Sequence, residues 1–292
     1  MHGIRQAVSL ILLVTRETGS GGLTQVYWSN GVRLTPDLSV GLRASYMFGP
    51  ISNVYTNVLT NTSSDGVPYL VNIENKKNIH GFNFGVGVSY SIDSLGRRKD
   101  RRFSIGAVYS LSSNYKAKVN NFISRTSLAG DTIEAYDIST DDGRVHLPES
   151  YTFGISYARG SRWNISTEFF YQDWSKFTSV SSDDEGLVES WRAALGGEYT
   201  ADPYALENYL KRITFRAGFA YQEYPYYANS ARVKDYGINL GLSLPAGRSS
   251  VDLAAQFGRR GDKAVNVLEE TYFKIFFGIT FNDQWFIKRK FD

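Results

Sequence analysis

The chain has 292 residues and a formal net charge of +3, with 32 Lys and Arg against 29 Asp and Glu, so its charge does not suggest a nucleic-acid partner. It contains no Cys and only 3 His, which excludes a disulfide framework and a thiolate metal site and leaves little material for a zinc centre. The longest apolar run, Leu10 to Val14, is far shorter than the roughly 20 residues of a transmembrane helix. The 27 Gly, 20 Tyr and 18 Phe favour an all-β chain.

Alternation between apolar and small polar residues is the dominant pattern of the chain. From Phe82 to Ile92, for example, every even position is aromatic or aliphatic and every odd position is Asn, Gly or Ser. In chain order the pattern predicts about eleven strands: 24–34, 38–48, 82–92, 103–111, 151–157, 163–171, 187–199, 213–221, 236–244, 251–257 and 273–281.

The links between these strands alternate in length. Short links fall near 35–37, 93–101, 158–161 and 245–249, with a longer one near 199–211, and long polar links fall at 49–78, 112–149, 173–186, 223–234 and 259–270. Short turns on one side and long loops on the other are typical of an outer-membrane β-barrel with periplasmic turns. Strands of about 9–11 residues also suit a tilted crossing of the membrane.

A soluble sandwich or a lipocalin-like barrel would alternate as well, but its polar face would carry many Lys, Glu and Thr. Here that face is mostly Gly, Ser, Asn and Ala, with isolated charges opposite the aromatic face: Arg43, Glu168, Arg192, Arg216, Asp252 and Lys274. Tyr and Trp concentrate near strand ends, as the interfacial girdles of a membrane protein require. The pattern therefore favours a transmembrane antiparallel barrel in the outer membrane.

The strand count leaves an odd number of strands to be found. With eleven strands and a periplasmic carboxyl terminus, residue 23 lies outside the cell, whereas single-chain bacterial barrels have an even strand number. The alternating segment Gln6 to Thr15 could supply a twelfth strand, or it could be the remnant of a signal peptide. We therefore divide the chain into an amino-terminal segment, 1–23, and a barrel, 24–292, and expect the natural protein to begin further upstream.

Several ordered stretches make residues 19–292 resemble the long-chain fatty-acid outer-membrane transporter family (FadL/TodX type). They are Leu147–Tyr151, Tyr171–Ser175, Phe215–Tyr221 with Pro225, and Phe281–Phe286. Gly19–Leu23 and the tail Trp285–Lys290 are similar to a divergent branch of the family. The resemblance implies a barrel of about 14 strands, plugged by an amino-terminal hatch with an Asn-Pro-Ala motif. This chain has no Asn-Pro-Ala, so we expect it to lack the hatch and the first strands of the family pattern.

The resemblance also implies a route for hydrophobic molecules, from an outer capture groove into the barrel and sideways into the membrane through a gap at a kinked strand. The groove would be built by loops 49–78 and 112–149, where exposed apolar residues call for an explanation. The candidate ligand-binding residues are Tyr55, Leu59, Tyr69 and Phe122 in these loops, and Arg43, Arg192 and Arg216 in the lumen. A guanidinium could hold a ligand carboxylate in a bidentate manner. Alternatively, the loop residues pack the loops together, and the arginines form an ion network with Glu168 and Asp252.

Other candidate sites are weaker. The run Asp183–Glu185 is typical of a solvated loop tip, with a weak cation-binding or lipopolysaccharide-bridging patch as the alternative, and we predict no dedicated metal site. His80, His146 and Ser150 suggest a hydrolase only by proximity, because nothing specifies the third group that would orient a base. We therefore predict no enzymatic activity and no cofactor.

The sequence thus predicts passive, non-enzymatic uptake of hydrophobic molecules, such as long-chain fatty acids, across a Gram-negative outer membrane. Its expected partners are these small molecules, outer-membrane lipid and lipopolysaccharide. One alternative is a structural or accessory barrel subunit of a secretion or assembly complex, whose partners would be other outer-membrane proteins. A general porin is a further alternative.

Overall fold

The computed structural model describes residues 14–59, 69–95, 100–139, 142–180, 186–265 and 269–281. Apart from two short 3-10 helices, Trp174–Lys176 and Tyr209–Arg212, its regular structure is strand. The strands are β1 Val14–Gly21, β2 Thr24–Arg33, β3 Leu38–Leu59, β4 Tyr69–Leu95, β5 Arg101–Ser110, β6 Ser113–Ser127, β7 Thr132–Asp137, β8 Gly143–Leu147, β9 Ser150–Arg159, β10 Trp163–Asp173, β11 Glu189–Thr200, β12 Thr214–Ala228, β13 Ala231–Ala246, β14 Ser249–Gly261 and β15 Glu269–Thr280. None of the helices in these ranges is long and apolar enough to span a membrane.

All fifteen strands belong to one antiparallel sheet. Eleven of them, β2 to β5 and β9 to β15, follow one another as neighbours, and they coincide with the eleven strands that alternation predicts. The short links 34–37, 160–162 and 247–248 lie on the side where β15 ends, which is the periplasmic side of an outer-membrane barrel. The fold is thus the predicted outer-membrane β-barrel.

Aromatic residues line up across the outward face of this sheet. Tyr109, Tyr151, Tyr171 and Trp191 are successive cross-strand partners near the extracellular ends of β5, β9, β10 and β11. On β10, Trp163 lies at the periplasmic end of the same face, eight residues from Tyr171, or about 26 Å along the strand. That length matches an apolar band of about 25 Å between two aromatic girdles.

The segments 49–78 and 112–149 are largely strand, which corrects their prediction as long polar loops. β3 and β4 pair without interruption from Leu38↔Tyr90 to Leu59↔Tyr69, and β6 continues the pairing beside β4. β1 covers the outer half of β3 from the other side. We call β1, β6, β7, β8 and the outer halves of β3 and β4 the extracellular sheet. Alternation did not predict it, because both of its faces carry polar residues.

One residue is inserted where the membrane part of the wall passes into the extracellular sheet. β4 pairs with β5 in the register Gly85↔Ser110 but with β6 in the register His80↔Lys116, so one extra residue lies between β5 and β6. The connection is tied down by the backbone N–H of Leu111, which donates to the Phe84 carbonyl over 2.9 Å. As a result, Ser110 and Ser113 both face inward although they are an odd number of residues apart.

The two ends of the row of eleven strands run in the same direction, because ten antiparallel steps separate β2 from β15. In the described part of the chain, each of these two strands pairs on one side only. Val14 and Thr15, the end of the predicted strand 6–15, lie in β1 of the extracellular sheet. Residues 6–13 fall outside the described ranges, so the division into a segment 1–23 and a barrel 24–292 stays a prediction.

Candidate functional site: the lumen and its extracellular mouth

The inward face of the membrane-spanning strands is lined by small side chains. One cross-strand row, for example, reads Ser91, Ser104, Ser156, Ser166 and Gly196. A groove of about 860 Å³ runs along this face from β2 to β13. Because so few large side chains enter it, the lumen has room for a molecule or a chain segment.

Two of the predicted lumenal arginines are held by carboxylates. Arg192 pairs with Glu168 over 2.5 Å. Arg216 lies between Asp252, at 3.1 Å, and Glu198, at 3.4 Å. These are the contacts of the ion-network alternative, with Glu198 added.

Arg43 is different, because it has no carboxylate within ion-pair distance among the residues in the structure. Its Nη2 donates to the hydroxyl of Ser110 over 3.0 Å. Lys274, on the last strand β15, likewise has no carboxylate beside it in the described residues; its Nζ lies 4.7 Å from the centre of the Tyr272 ring. Of the three predicted arginines, Arg43 is therefore the one whose charge is available to a ligand; binding of a carboxylate by any of them stays a prediction.

A second polar network, which the sequence pattern did not predict, lies near the extracellular ends of β12 to β15. The buried carboxylate of Asp235 accepts hydrogen bonds from Arg260 Nε at 3.0 Å and from the Tyr272 hydroxyl at 2.8 Å. Arg232 pairs with Glu189 at 3.0 Å and with Glu223 at 3.1 Å. Asp235 lies just before the predicted strand 236–244, and its partners follow only from the strand register.

The extracellular mouth carries the apolar core of the described structure on its inner face. Ile79, Tyr115, Ala117 and Val145 are buried there. Around them pack Met47, Ile51, Leu147, Phe177 and Val180. We call these nine residues the mouth cluster.

Residues 174–180, the cover segment, fold inward across this cluster. The backbone N–H of His146 donates to the Thr178 carbonyl over 2.9 Å, and Thr178 N–H donates back over 3.3 Å. Lys77, on β4, donates to the Ser179 hydroxyl over 3.0 Å. The cover segment is therefore attached to both β8 and β4, and it narrows the entrance to the lumen.

A charged pair anchors the start of the cover segment. Lys176 Nζ lies 2.8 Å from Glu149 and 3.7 Å from Asp173. The hydrogen bond from Lys176 lowers the pKa of the Glu149 carboxyl, and the hydrogen bond from the Ser175 hydroxyl lowers the pKa of Asp173. The carboxylates of Glu149 and Asp173 are thus ionised at neutral pH. In the mouth cluster, burial raises the pKa of Tyr115.

The predicted groove residues divide between two faces of the extracellular sheet. Tyr55 lies on the inner face, in a cross-strand row that continues through Ile73 and Ile123 to Tyr136. Tyr69 lies on the same face, with the Arg125 guanidinium 4.2 Å from its ring centre. Leu59 is the cross-strand partner of Tyr69 in β3.

Phe122, by contrast, lies on the opposite face, so it is not brought together with the others. The acidic run Asp183–Glu185 and the tail Trp285–Lys290 fall outside the described residues. Tyr136, which ends the inner-face row of Tyr55, was not among the predicted groove residues.

The weaker candidates gain no catalytic contacts. The His146 ring lies 2.9 Å from the Asn114 side chain, and His80 points away from the lumen. Among the residues that the structure describes, no three His, Asp or Glu side chains are grouped so that they could hold a metal.

Three solved structures are similar to this chain. The CymD monoaromatic hydrocarbon channel is 15% identical with a TM-score of 0.54, and the match covers 86% of this chain and 73% of that one. A Pseudomonas aeruginosa FadL homologue is 13% identical with a TM-score of 0.51, covering 83% and 60%. The Ralstonia pickettii toluene transporter TbuX is 17% identical with a TM-score of 0.49, covering 82% and 63%. This chain therefore spans under two thirds of the length of the last two.

These matches confirm the predicted resemblance to FadL/TodX-type barrels, at identities that show the fold alone. By their names, two of the three are a hydrocarbon channel and a toluene transporter. A search of curated proteins returns no significant match. The match to a family model covers residues 5–292 and carries a different name from the hydrocarbon channels. The chain is an outer-membrane β-barrel of the BamG family.

Proposed function

We propose that this barrel lets hydrophobic small molecules pass from the outside into its lumen by diffusion. Two apolar areas on the inner face of the wall support this function. One is the row of Tyr55, Ile73, Ile123 and Tyr136, and the other is the mouth cluster nearer the membrane, with a row of asparagines, Asn53, Asn75 and Asn121, between them. An apolar surface in water is unfavourable unless it receives a ligand or a partner.

The charges of the lumen favour uncharged molecules within this class. Arg192 and Arg216 are already paired with carboxylates, so a fatty-acid carboxylate would have to displace Glu168 or Asp252 to bind them. Only Arg43, of the three, offers an unshared positive charge. We therefore expect aromatic or aliphatic hydrocarbons to pass more readily than long-chain carboxylates.

The test compares uptake by cells that carry the full-length protein or the double variant Tyr55→Ser, Tyr136→Ser. Losing contact with an aromatic side chain weakens the free energy of ligand binding by on the order of 1–2 kcal/mol. We therefore expect the rate of uptake of a labelled hydrocarbon at low concentration to fall about fivefold or more. Phe122→Ser is the matched control, because it removes an aromatic ring from the opposite face of the same sheet. Unchanged uptake of both a hydrocarbon and a fatty acid after deletion of the protein would refute the proposal.

A second function, that of an accessory subunit in an outer-membrane assembly or secretion complex, is favoured by the extracellular sheet. β7 is exposed along its whole length, with Ile133 54% and Tyr136 58% exposed, and in the described chain it pairs only with β6. An exposed strand edge is a template for pairing with another chain. Membership of the BamG family is consistent with this function.

Cross-linking in native membranes, followed by mass spectrometry, tests the second function. A complex subunit is expected to recover stoichiometric outer-membrane partners, and cross-links at β7 should be among them. Migration as a solitary chain in mild detergent, with no partner after cross-linking, would argue against it. We do not propose the general porin, because no specific observation on the described residues favours it over these two functions.

A further inference from the structure

Five basic residues form a patch on the outward face of the extracellular sheet. His80, Lys116 and Arg144 are direct cross-strand partners on β4, β6 and β8. Lys118 and Lys76 lie one and two rows further from the membrane, on the same face. This face is opposite to the mouth cluster, since Ile79, Tyr115 and Ala117 alternate with these residues. We call the five residues the basic patch.

The basic patch has no counter-charge in the described chain. None of its five side chains makes an ion pair or a hydrogen bond there, although most other arginines of the wall are paired. The nearby acids Glu74 and Asp142 do not pair with it, and Glu74 instead accepts a hydrogen bond from Ser52 over 3.2 Å. Like charges directly opposite each other in a sheet are destabilising. An anion from outside the chain would relieve the repulsion between Lys116 and Arg144.

The height of the basic patch indicates which anion it meets. His80 is the cross-strand partner of Phe48 and lies two residues above Phe82. Phe82 packs on Tyr46, with 4.9 Å between the ring centres, and both rings belong to the outward apolar face. Aromatic side chains of this kind mark the level of the lipid headgroups. The basic patch therefore begins at the headgroups of the outer leaflet and rises away from the membrane.

We propose that the basic patch binds the phosphate groups of a phosphorylated glycolipid in the outer leaflet. Arg144 offers a bidentate fork for one phosphate, and Lys116 and Lys118 offer charge-assisted hydrogen bonds beside it. The acyl chains of the same lipid would lie along Phe82 and the apolar face below it. A membrane lipid fits better than free phosphate, because the patch adjoins the lipid-facing band and not the lumen.

The experiment measures glycolipid that remains bound to the full-length protein when it is extracted from native outer membranes in mild detergent. Native mass spectrometry counts the bound lipids for the wild type and for the double variant Lys116→Gln, Arg144→Gln. Removing two basic residues at a headgroup site is expected to weaken binding about fivefold for each residue, and thus about 25-fold together. The control Lys211→Gln, Arg248→Gln removes two exposed charges from the periplasmic end of the barrel and should retain the lipid.

Two further arms separate the sources of phosphate. Reconstitution with a dephosphorylated glycolipid should abolish the enrichment, and inorganic phosphate at millimolar concentration should not compete with the intact lipid. The single variant Lys116→Arg, which keeps the positive charge, should bind the glycolipid as well as the wild type does. The proposal is overturned if the patch variant and the control retain equal amounts of glycolipid, or if the dephosphorylated lipid binds equally well. These results do not depend on whether the barrel transports hydrocarbons.

Discussion

The variant Gly143→Ala should loosen the cover segment and open the mouth of the lumen. A methyl group at position 143 would lie 2.4 Å from Cγ1 of Val180, 3.2 Å from its Cβ and 3.3 Å from its Cγ2. Favourable carbon contacts lie near 3.5–4.0 Å, so the whole Val180 side chain has to move, and with it the backbone pairing of Thr178 with His146. Overpacking of this kind costs about 1–3 kcal/mol, which raises the displaced population of the cover segment about 5- to 150-fold.

Trypsin cleavage after Lys176 reports this opening, because cleavage of a transiently opened segment follows its equilibrium population when closing is fast. We expect the cleavage rate at this site to rise by the same factor in Gly143→Ala. Gly22→Ala is the control, since a methyl group there meets no atom within 4 Å. Adding Val180→Ala to Gly143→Ala should lower the cleavage rate part of the way back to the wild-type value, because it removes the atoms that clash. Equal cleavage of the Gly143→Ala and Gly22→Ala proteins would refute the packing argument.

Three other outcomes follow from the wall of the barrel. Leu240→Arg should lower the free energy of unfolding from lipid vesicles by about 2–4 kcal/mol, while Asn239→Arg, facing the lumen, should change it little; equal losses would mean that the two faces are misassigned. Because the hydrogen bond from Lys176 lowers the pKa of Glu149, its contribution is present above the ordinary carboxyl pKa of about 4.3 and is lost as the pH falls through the lowered value. Hydrogen exchange in residues 174–180, corrected for the intrinsic rate, should therefore rise on acidification from pH 6 to pH 3, and a flat profile would contradict the anchor. Arg216→Met should change the urea unfolding energy by less than about 1 kcal/mol, as expected for a half-exposed ion pair, and should leave hydrocarbon uptake intact; a selective loss of fatty-acid uptake would instead mark Arg216 as a carboxylate ligand.

The membrane-spanning part was predictable from the sequence because one face of each strand meets lipid. Apolar and polar residues therefore alternate in segments such as 82–92. The same alternation assigns Arg43 and Arg216 to the lumen. The extracellular sheet was not predictable in this way, since outside the mouth cluster both of its faces carry polar residues such as Asn72 and Asn75. In the segment 49–78 the alternation of apolar and polar residues is therefore interrupted although the strands continue.

The contacts of the site were beyond the sequence for a different reason. Arg192 meets Glu168 because of the register between β10 and β11, and alternation fixes the face of a strand but not its register. The mouth cluster depends on the pairing of His146 with Thr178, which are 32 residues apart and separated by a hairpin. Phe122 was grouped with Tyr55 because both are apolar residues of the two predicted groove loops, and the strand pleat sends them to opposite faces.

The extra residue between β5 and β6 constrains how insertions and deletions can accumulate in this family. Deleting Ser112 would bring the two halves of that strand into one unbroken pleat and would turn β6 over, so Tyr115 would exchange places with Lys116. β8, which pairs with β6, would need a matching change at Pro148 or Glu149 to keep its own face. Insertions and deletions at this level should therefore occur together in neighbouring strands. The membrane-spanning parts of these strands should keep their length.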